Sequence, residues 1–186
     1  ARSEATGYGA VYFAQRMLEK NGQSLEGMRV SVSGTGNVAL HAMRKAAELG
    51  ATITACSDSS GYIADPEGID LELIWNIKEI RRERVISYAQ EKGSQAKFVP
   101  KGTGSIWDVP CDCALPCATQ NELDRQNAMS LAANGVLAVV EGANMPCTPQ
   151  AADVFKQAGL LFAPGNAANA GGVATSPPDI QQNASR

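Results

Sequence analysis

The sequence lacks the marks of several large classes of protein. No apolar run reaches the roughly 18 residues that a membrane-spanning helix needs. Residues 1–7 contain no basic stretch followed by an apolar core, as a secretory signal would. Basic residues are not in excess either, because 16 lysines and arginines stand against 19 acidic residues, giving a net charge of −3 and a pI near 5.2. We therefore expect no membrane partner and no nucleic-acid partner.

Histidine and paired cysteines are also scarce. The single histidine, His41, falls within a predicted helix, where we expect it to pack against a neighbour or to face solvent. The cysteines are Cys56, Cys111, Cys113, Cys117 and Cys147. Their odd number and irregular spacing argue against a disulfide framework, and the group from 111 to 117 lacks both the C-x2-C spacing and the fourth ligand of a zinc site. We expect no bound metal, and buried thiols in a reducing cytoplasm.

What the chain does contain is an ordinary globular composition. Apolar residues make up 44% of the 186 residues and charged residues 19%, which is typical of a folded domain with a large core. We find no internal repeat and no linker, and we predict a single domain over 1–186. From about 177 the chain stops before it completes a helix, which indicates a truncated C-terminal tail.

Apolar patterns predict helices that alternate with short strands. The predicted strands cover 28–32, 51–57, 112–115, 136–140 and 160–163. The predicted helices cover 4–20, 37–49, about 71–92 (whole or broken), a segment ending at 130–134, and 151–158. Strands separated by helices form βαβ units, so the pattern predicts an α/β fold with a doubly wound, mostly parallel sheet and helices on both faces.

The first candidate site is the turn Gly34-x-Gly36-x-x-Ala39 between a predicted strand and a predicted helix. Gly34 permits a tight turn, Gly36 lets the backbone approach a pyrophosphate, and Ala39 lets the helix pack closely on the strand. The helix N-terminus adds free N–H groups and a partial positive charge. The pattern favours dinucleotide binding, and a tight turn without a ligand is the alternative.

Asp58 follows the next predicted strand and bears on which dinucleotide is bound. A carboxylate in this place bonds a ribose 2′-hydroxyl and favours NAD, whereas the adjacent Ser57, Ser59 and Ser60 could bond a 2′-phosphate. The basic run that follows consists of Lys78, Arg81, Arg82 and Arg84. It could neutralise that phosphate, but its spacing alone favours a solvated helix face.

Three loops rich in small residues and asparagine follow later predicted strands, at 116–121, 141–146 and 163–176. The C-terminal ends of parallel strands form the ligand-binding edge of a doubly wound sheet, and asparagine offers a donor and an acceptor to a carboxamide or a ribose. On their own, ordinary polar loops are an equally good interpretation.

Six short segments stand in a fixed order along the chain. They are Arg-Ser-Glu-Ala-Thr-Gly-Tyr-Gly, Val-Ser-Gly-Thr-Gly-Asn-Val-Ala, Ser-Asp-Ser-Ser-Gly, Ala-Leu-Pro-Cys-Ala-Thr-Gln-Asn-Glu-Leu, Glu-Gly-Ala-Asn-Met-Pro and Asn-Ala-Gly-Gly-Val-Ala-Thr-Ser. Together they resemble the cofactor-binding domain of glutamate dehydrogenases, in particular the hexameric and usually NADP-linked type. The resemblance covers residues 2 to about 176. It implies a Rossmann-like fold and NADP as cofactor, with NAD less favoured.

The resemblance also implies roles for individual residues. The implied cofactor contacts are Thr6, Gly34, Gly36, Asn37, Val38, Ser57, Asp58, Ala118, Thr119, Asn121, Gly142, Asn144 and Asn169. The two glycines of the turn cradle the pyrophosphate, Ser57 and Asp58 lie at the adenosine ribose, and the contacts from 118 onward lie on the nicotinamide side. Val173 and Ser176 correspond to the wall that holds the side-chain carboxylate of the substrate.

In such enzymes hydride passes from the α-carbon of glutamate to nicotinamide C4, and hydrolysis of the imine gives 2-oxoglutarate and ammonia. The family's catalytic lysine and aspartate lie in a substrate domain that precedes the Thr-Gly-Tyr-Gly helix. We therefore expect no catalytic residue in this chain, an inactive isolated domain that is a monomer or weak dimer, and a homohexameric parent. Asn166 replaces the family's common lysine, and Pro177-Pro178 stands where a helix would begin.

Two alternatives remain at this stage. The chain could be a stand-alone nucleotide-binding module without catalysis, or a domain of a sibling dehydrogenase that acts on leucine, phenylalanine or valine. Ser176 and the run from Ser57 to Ser60 argue against a sibling.

Overall fold

A computed structural model of the chain describes residues 2–167, without the side chains of residues 2 and 3. Within this range seven strands form one sheet. The strands are β1 (Arg29–Ser33), β2 (Thr52–Asp58), β3 (Gly61–Ala64), β4 (Lys97–Pro100), β5 (Cys113–Pro116), β6 (Ala138–Val140) and β7 (Leu161–Ala163). The α-helices are α1 (Arg2–Lys20), α2 (Asn37–Glu48), α3 (Leu71–Trp75), α4 (Ile86–Gln90), α5 (Arg125–Ala133) and α6 (Pro149–Gln157).

The strand order is β4-β3-β2-β1-β5-β6-β7. Strands β2, β1, β5, β6 and β7 run parallel to one another. At one edge of the sheet, β3 pairs antiparallel with β2, and β4 pairs antiparallel with β3. The order reverses between β1 and β5, and the C-terminal ends of neighbouring strands diverge into a crevice at such a point. The predicted α/β, mostly parallel fold is confirmed, but the sequence interpretation did not anticipate the antiparallel strands β3 and β4.

The core consists of the buried faces of these strands and helices. Strands β1, β5, β6 and β7 are buried almost throughout. Helix α1 packs on α2, and α5 packs on α6. Gly7 marks the closest approach of α1 to α2, because a Cβ at this position would lie 2.6 Å from the carbonyl oxygen of Val38. Thus α1 fixes the first turn of α2, which begins at the candidate site.

The charged segment 71–92 is not one helix. After α3 the chain makes a π-helical turn, Asn76–Ile80, then leaves helical structure until α4 begins at Ile86. Ile74 and Ile77 are buried as the apolar pattern predicts, but Ile80 is 69% exposed. A π turn advances the side chains by a smaller angle per residue than an α turn, so the expected apolar face ends before Ile80.

Candidate functional site

The glycine-rich turn lies where the sequence analysis expects it, between β1 and α2. Gly34 has a φ of +88°, a conformation that favours glycine. Its backbone N–H donates to Ser57 Oγ at 2.9 Å, which ties the turn to β2. A Cβ on Gly34 would lie 3.1 Å from the carbonyl oxygen of Cys117, so the turn also packs against the loop that follows β5.

Gly36 has no such internal reason to be glycine. Its φ of −78° and ψ of −173° suit any residue, and no atom lies within 4 Å of the position that a Cβ would take. It is the N-cap of α2, yet no side chain caps this helix, although serine, threonine or aspartate here would stabilise it. The missing side chain leaves the positive end of α2 accessible from the cleft, which suits a phosphate group.

A cleft of about 890 Å³ opens beside this turn at the C-terminal ends of β1, β2 and β5. Seven of the expected cofactor contacts line it together: Gly34, Gly36, Asn37, Ser57, Asp58, Ala118 and Thr119. The volume lies in the upper part of the range for cofactor sites. The structure therefore places residues from three separate segments of the sequence around one space.

Other expected contacts are not among the residues that line the cleft. Val38 is the second residue of α2, and Thr6 precedes Gly7 on α1. Asn121 and Asn144 lie in the loops after β5 and β6. Gly142 donates its N–H to Pro116 O at 2.9 Å, and a Cβ there would collide with Cys117 Sγ, so packing alone accounts for this glycine. Asn169, Val173 and Ser176 fall outside the described residues.

Asp58 makes its hydrogen bonds within the chain. One carboxylate oxygen accepts from the N–H and hydroxyl of Ser60, and the other accepts from Lys78 Nζ at 2.9 Å and Val85 N–H at 2.8 Å. The side chain is 7% exposed. Burial raises the pKa of Asp58, but the bonds from Ser60 and Lys78 outweigh it and hold the pKa below its usual range. The carboxylate organises the segment around the site instead of offering an open acceptor to a ribose.

Three residues of the basic run, Lys78, Arg82 and Arg84, line the cleft near the end of β2. Lys78 is paired with Asp58 and its side chain is 15% exposed, so the interpretation of a solvated face is wrong for this residue. Arg84 donates to Ser59 Oγ at 2.6 Å and lines the cleft, as do Arg82 and Lys101. The spacing could not show this, because the π turn and the break after it reorient the side chains.

The β5 side of the cleft contains a residue that the sequence analysis did not assign. Glu122 lines the cleft, and one of its carboxylate oxygens accepts from Ser33 Oγ and from the N–H groups of Ala118 and Thr119. Its only sequence signal was its place after Asn121 in one of the six segments. Glu141 acts similarly nearby, accepting from Cys147 N–H and Gly165 N–H.

Within the part of the chain that the structure describes, the cysteines and the histidine do not form a second candidate site. All five cysteines are buried and unpaired, as predicted, and burial raises the pKa of Cys56 to about 12 and of Cys111 to about 11. His41 packs between the rings of Tyr8 and Trp75. Within residues 2–167 no cluster of side chains suits a metal ion, and no helix there is long and apolar enough to cross a bilayer.

Comparison with known proteins gives the family. The model of the family described as Glutamate/Leucine/Phenylalanine/Valine dehydrogenase matches residues 1–186. The chain belongs to this family. Within it, the chain is 54% identical over 188 aligned positions to the NADP-specific glutamate dehydrogenase of Escherichia coli (strain K12), and 50% identical over the same length to the NAD(P)-specific glutamate dehydrogenase of Xylanibacter ruminicola.

These alignments cover all of this chain but 41% of each relative. Among solved structures, a glutamate dehydrogenase of Plasmodium falciparum matches 98% of the chain and 39% of its own chain, with a TM-score of 0.85 and 42% identity. The chain therefore spans about two fifths of the length of the dehydrogenases that it resembles.

Proposed function

We propose that this chain is the NADP-binding domain of a glutamate dehydrogenase. The whole enzyme would interconvert L-glutamate with 2-oxoglutarate and ammonia by reversible oxidative deamination. The observation that carries the proposal is Gly36, because the protein itself gives no reason for a glycine at the uncapped N-terminus of a helix that opens on a cleft. The printed names of the relatives, NADP-specific among them, support the same cofactor.

The cleft residues fit the parts of a dinucleotide in order. The N-terminal N–H groups of α2 would hold the pyrophosphate, with the glycine turn giving the backbone close approach. The segment after β2 would receive the adenosine half, and the loop with Ala118 and Thr119 the nicotinamide half. Asn121, Gly142, Asn144 and Asn169 remain proposed contacts on that side. Bound NADP would supply the group that takes up or returns the electron pair of the substrate C–H bond.

A preference for NADP over NAD follows from the charge at the adenosine side. Lys78 and the four hydrogen bonds at Asp58 neutralise and enclose that carboxylate, so its repulsion of a 2′-phosphate is weakened. Arg84, which donates to Ser59 Oγ, then provides positive charge at the cleft. Arginine forms two parallel hydrogen bonds with phosphate, a geometry that a ribose hydroxyl cannot use.

In this proposal residues 1–186 form a single dinucleotide-binding domain, and the catalytic lysine and aspartate belong to a substrate domain outside this chain. Val173 and Ser176 would supply one wall for glutamate or 2-oxoglutarate. The isolated chain would then be inactive and a monomer or weak dimer, with a homohexameric parent. The five unpaired thiols support a cytoplasmic location.

Calorimetric titration of the chain with NADPH and with NADH tests the proposal. We expect saturable binding of both, with NADPH bound more tightly at low ionic strength. Gly36→Ser should weaken NADPH binding at least about tenfold, because its side chain enters the space of the phosphate, while the new cap leaves the free energy of unfolding unchanged or raises it by a few tenths of a kcal/mol.

Two results would count against the proposal. Absence of a saturable signal with the wild type up to millimolar NADPH would overturn it. Equal NADPH affinity of the wild type and Gly36→Ser would remove the observation on which it depends.

A further inference from the structure

Glu122 joins the two loops that form the floor of the cleft. Its Oε2 accepts from Ser33 Oγ at 2.8 Å, from Ala118 N–H at 3.0 Å and from Thr119 N–H at 3.1 Å. Ser33 Oγ in turn accepts from Cys117 N–H at 3.0 Å. Ser33 immediately precedes the glycine turn, so this network fixes the distance between that turn and the loop 117–119.

Burial of the Glu122 carboxylate is unfavourable for the charged form of the side chain. Burial raises the pKa of Glu122, and the hydrogen bonds from Ser33, Ala118 and Thr119 lower it by less. None of the ion pairs formed among residues 2–167 includes Glu122. A neutral acceptor such as glutamine could take these hydrogen bonds without the cost of burying an unpaired charge, so satisfying the three donors does not by itself require a glutamate here.

The surrounding loop is held in an uncommon shape. Asn121, next to Glu122, has a φ of +60°, and Met145 in the neighbouring loop has a φ of +51°. The two residues are joined by a bond from Asn121 N–H to Met145 O at 2.9 Å, and Leu123 N–H donates to Pro146 O beside it. Left-handed conformations of non-glycine residues persist where the surroundings impose them, and they concentrate at ligand sites.

We propose that Glu122 is a positioning residue for the cofactor: through Ser33, Ala118 and Thr119, its ionised carboxylate holds the loop 117–121 against the glycine turn in the shape that receives the nicotinamide half of NADP. This inference rests on the proposed function. The ionised form is the better acceptor, because hydrogen bonds to a carboxylate are about twice as strong as those to a neutral oxygen.

The proposal gives cofactor affinity a specific pH dependence. Because the pKa of Glu122 is raised, it takes up its proton at a higher pH than an ordinary glutamate does. The thiols of Cys117 and Cys147 face it, and burial raises the pKa of both, so they stay neutral as pH falls. A second carboxylate, Glu141, accepts from Cys147 N–H and is common to the wild type and to any Glu122 variant. Protonation of Glu122 then loosens the loop.

The first test compares NADPH binding to the wild type and to Glu122→Gln across the pH range. At about pH 8 we expect the variant to bind about tenfold more weakly, since one charged acceptor is lost. The ratio of the two dissociation constants should shrink toward one in acid, where both side chains are neutral. Titration of the ligand phosphates affects both proteins equally and cancels in this ratio.

Asp112→Asn is the matched control. Asp112 is a carboxylate at the opposite end of the same strand, β5, and it accepts from Arg29 N–H at 2.8 Å. We expect its replacement to leave the NADPH dissociation constant within about twofold of the wild type. Equal affinity of Glu122→Gln and the wild type at every pH would overturn the proposal, as would a ratio that does not change with pH.

A second measurement needs no variant. In hydrogen exchange of the free wild type, we expect the protection factors of the Ala118 and Thr119 amides to fall as Glu122 is protonated. The Arg29 amide donates to Asp112 and serves as the control. Its protection factor should stay constant, because the pKa of Asp112 is lowered. Unchanged protection at Ala118 and Thr119 would contradict the inference. Failure of the wild type to bind NADPH would instead contradict the proposed function, so the two failures are distinguishable.

Discussion

At the scale of single residues, the carboxylates at the ends of the strands act mainly on the chain itself. Asp58 at the end of β2, Glu122 after β5 and Glu141 after β6 each accept backbone N–H groups of a neighbouring loop. Loop N–H groups cannot join the sheet, and a buried donor without a partner costs about 1–3 kcal/mol. These acids therefore satisfy the loops that surround the cleft and fix their positions.

Asp58→Asn tests this role at the end of β2. The asparagine amide carries no charge to pair with Lys78, and its NH2 group cannot accept the hydrogen bonds that Lys78 and Val85 donate. We therefore expect the free energy of unfolding to fall by about 3 kcal/mol near neutral pH. Because the pKa of Asp58 is lowered in the folded state, its contribution is present above the usual unfolded pKa of about 4 and is lost as pH falls through the folded value.

Urea unfolding at about pH 7 and about pH 3 measures this difference, which should be smaller in acid. Glu48→Gln serves as control, because Glu48 pairs with Lys45 but its side chain is 62% exposed; we expect a change below about 1 kcal/mol. Similar losses for the two variants would contradict a structural role for Asp58.

At the scale of elements, the position of α2 depends on its contact with α1. A Cβ on Gly7 would lie 2.6 Å from Val38 O and 2.9 Å from Ala42 N, both backbone atoms of α2. Backbone atoms cannot rotate away as a flexible side chain would. The two helices can therefore approach this closely only with glycine at this position, and the approach sets where the N-terminus of α2 faces the cleft.

For Gly7→Ala, helix propensity and helix packing predict opposite changes in the free energy of unfolding, and we expect packing to dominate. Helix propensity alone predicts that alanine stabilises α1 by about 1 kcal/mol. Since the added methyl group forces the helices apart, we expect a loss of about 1–3 kcal/mol in the free energy of unfolding, with weaker NADPH binding because Asn37 and Val38 move. Thermal unfolding and calorimetric titration check both effects; a stabilised variant would show that the contact does not restrain α2.

At the scale of the whole molecule, the proposed function makes the cleft the cofactor side of a reaction site. A dehydrogenation of an amino acid also needs groups that position the substrate and transfer protons, and acid–base groups alone contribute about 10²–10⁴-fold. In the proposal these belong to another domain, so the 186-residue chain binds cofactor without turning over substrate.

An assay of NADPH oxidation by this chain with 2-oxoglutarate and ammonium measures that expectation. We expect no turnover above the uncatalysed rate at high protein concentration, while the full-length Escherichia coli relative serves as the positive control. A rate within the ordinary range of about 1–10³ per second would mean that this chain carries catalytic groups of its own.

The sequence determined most of the architecture by itself. Buried parallel strands require continuous apolar runs and their crossover helices a 3.6-residue period, so β1, β2, β5, β6 and β7 begin within two residues of the predicted positions. The sequence predicted the glycine turn equally well, because the left-handed conformation at Gly34 suits glycine and the position of Gly36 follows from the motif. Local constraints of this kind restrict which residue type can occupy a position, so the sequence reveals them.

Only the tertiary structure decided how the cleft is lined. The antiparallel pairing of β3 with β4 and the break in 71–92 depend on packing between distant segments, and they bring Lys78 to Asp58 and Arg84 to Ser59. Likewise, Glu122 acquires its role from Ser33, which is 89 positions away in the sequence. Such contacts depend on the sheet order, which places β5 beside β1. The residue pattern within any one segment of the sequence therefore cannot predict them.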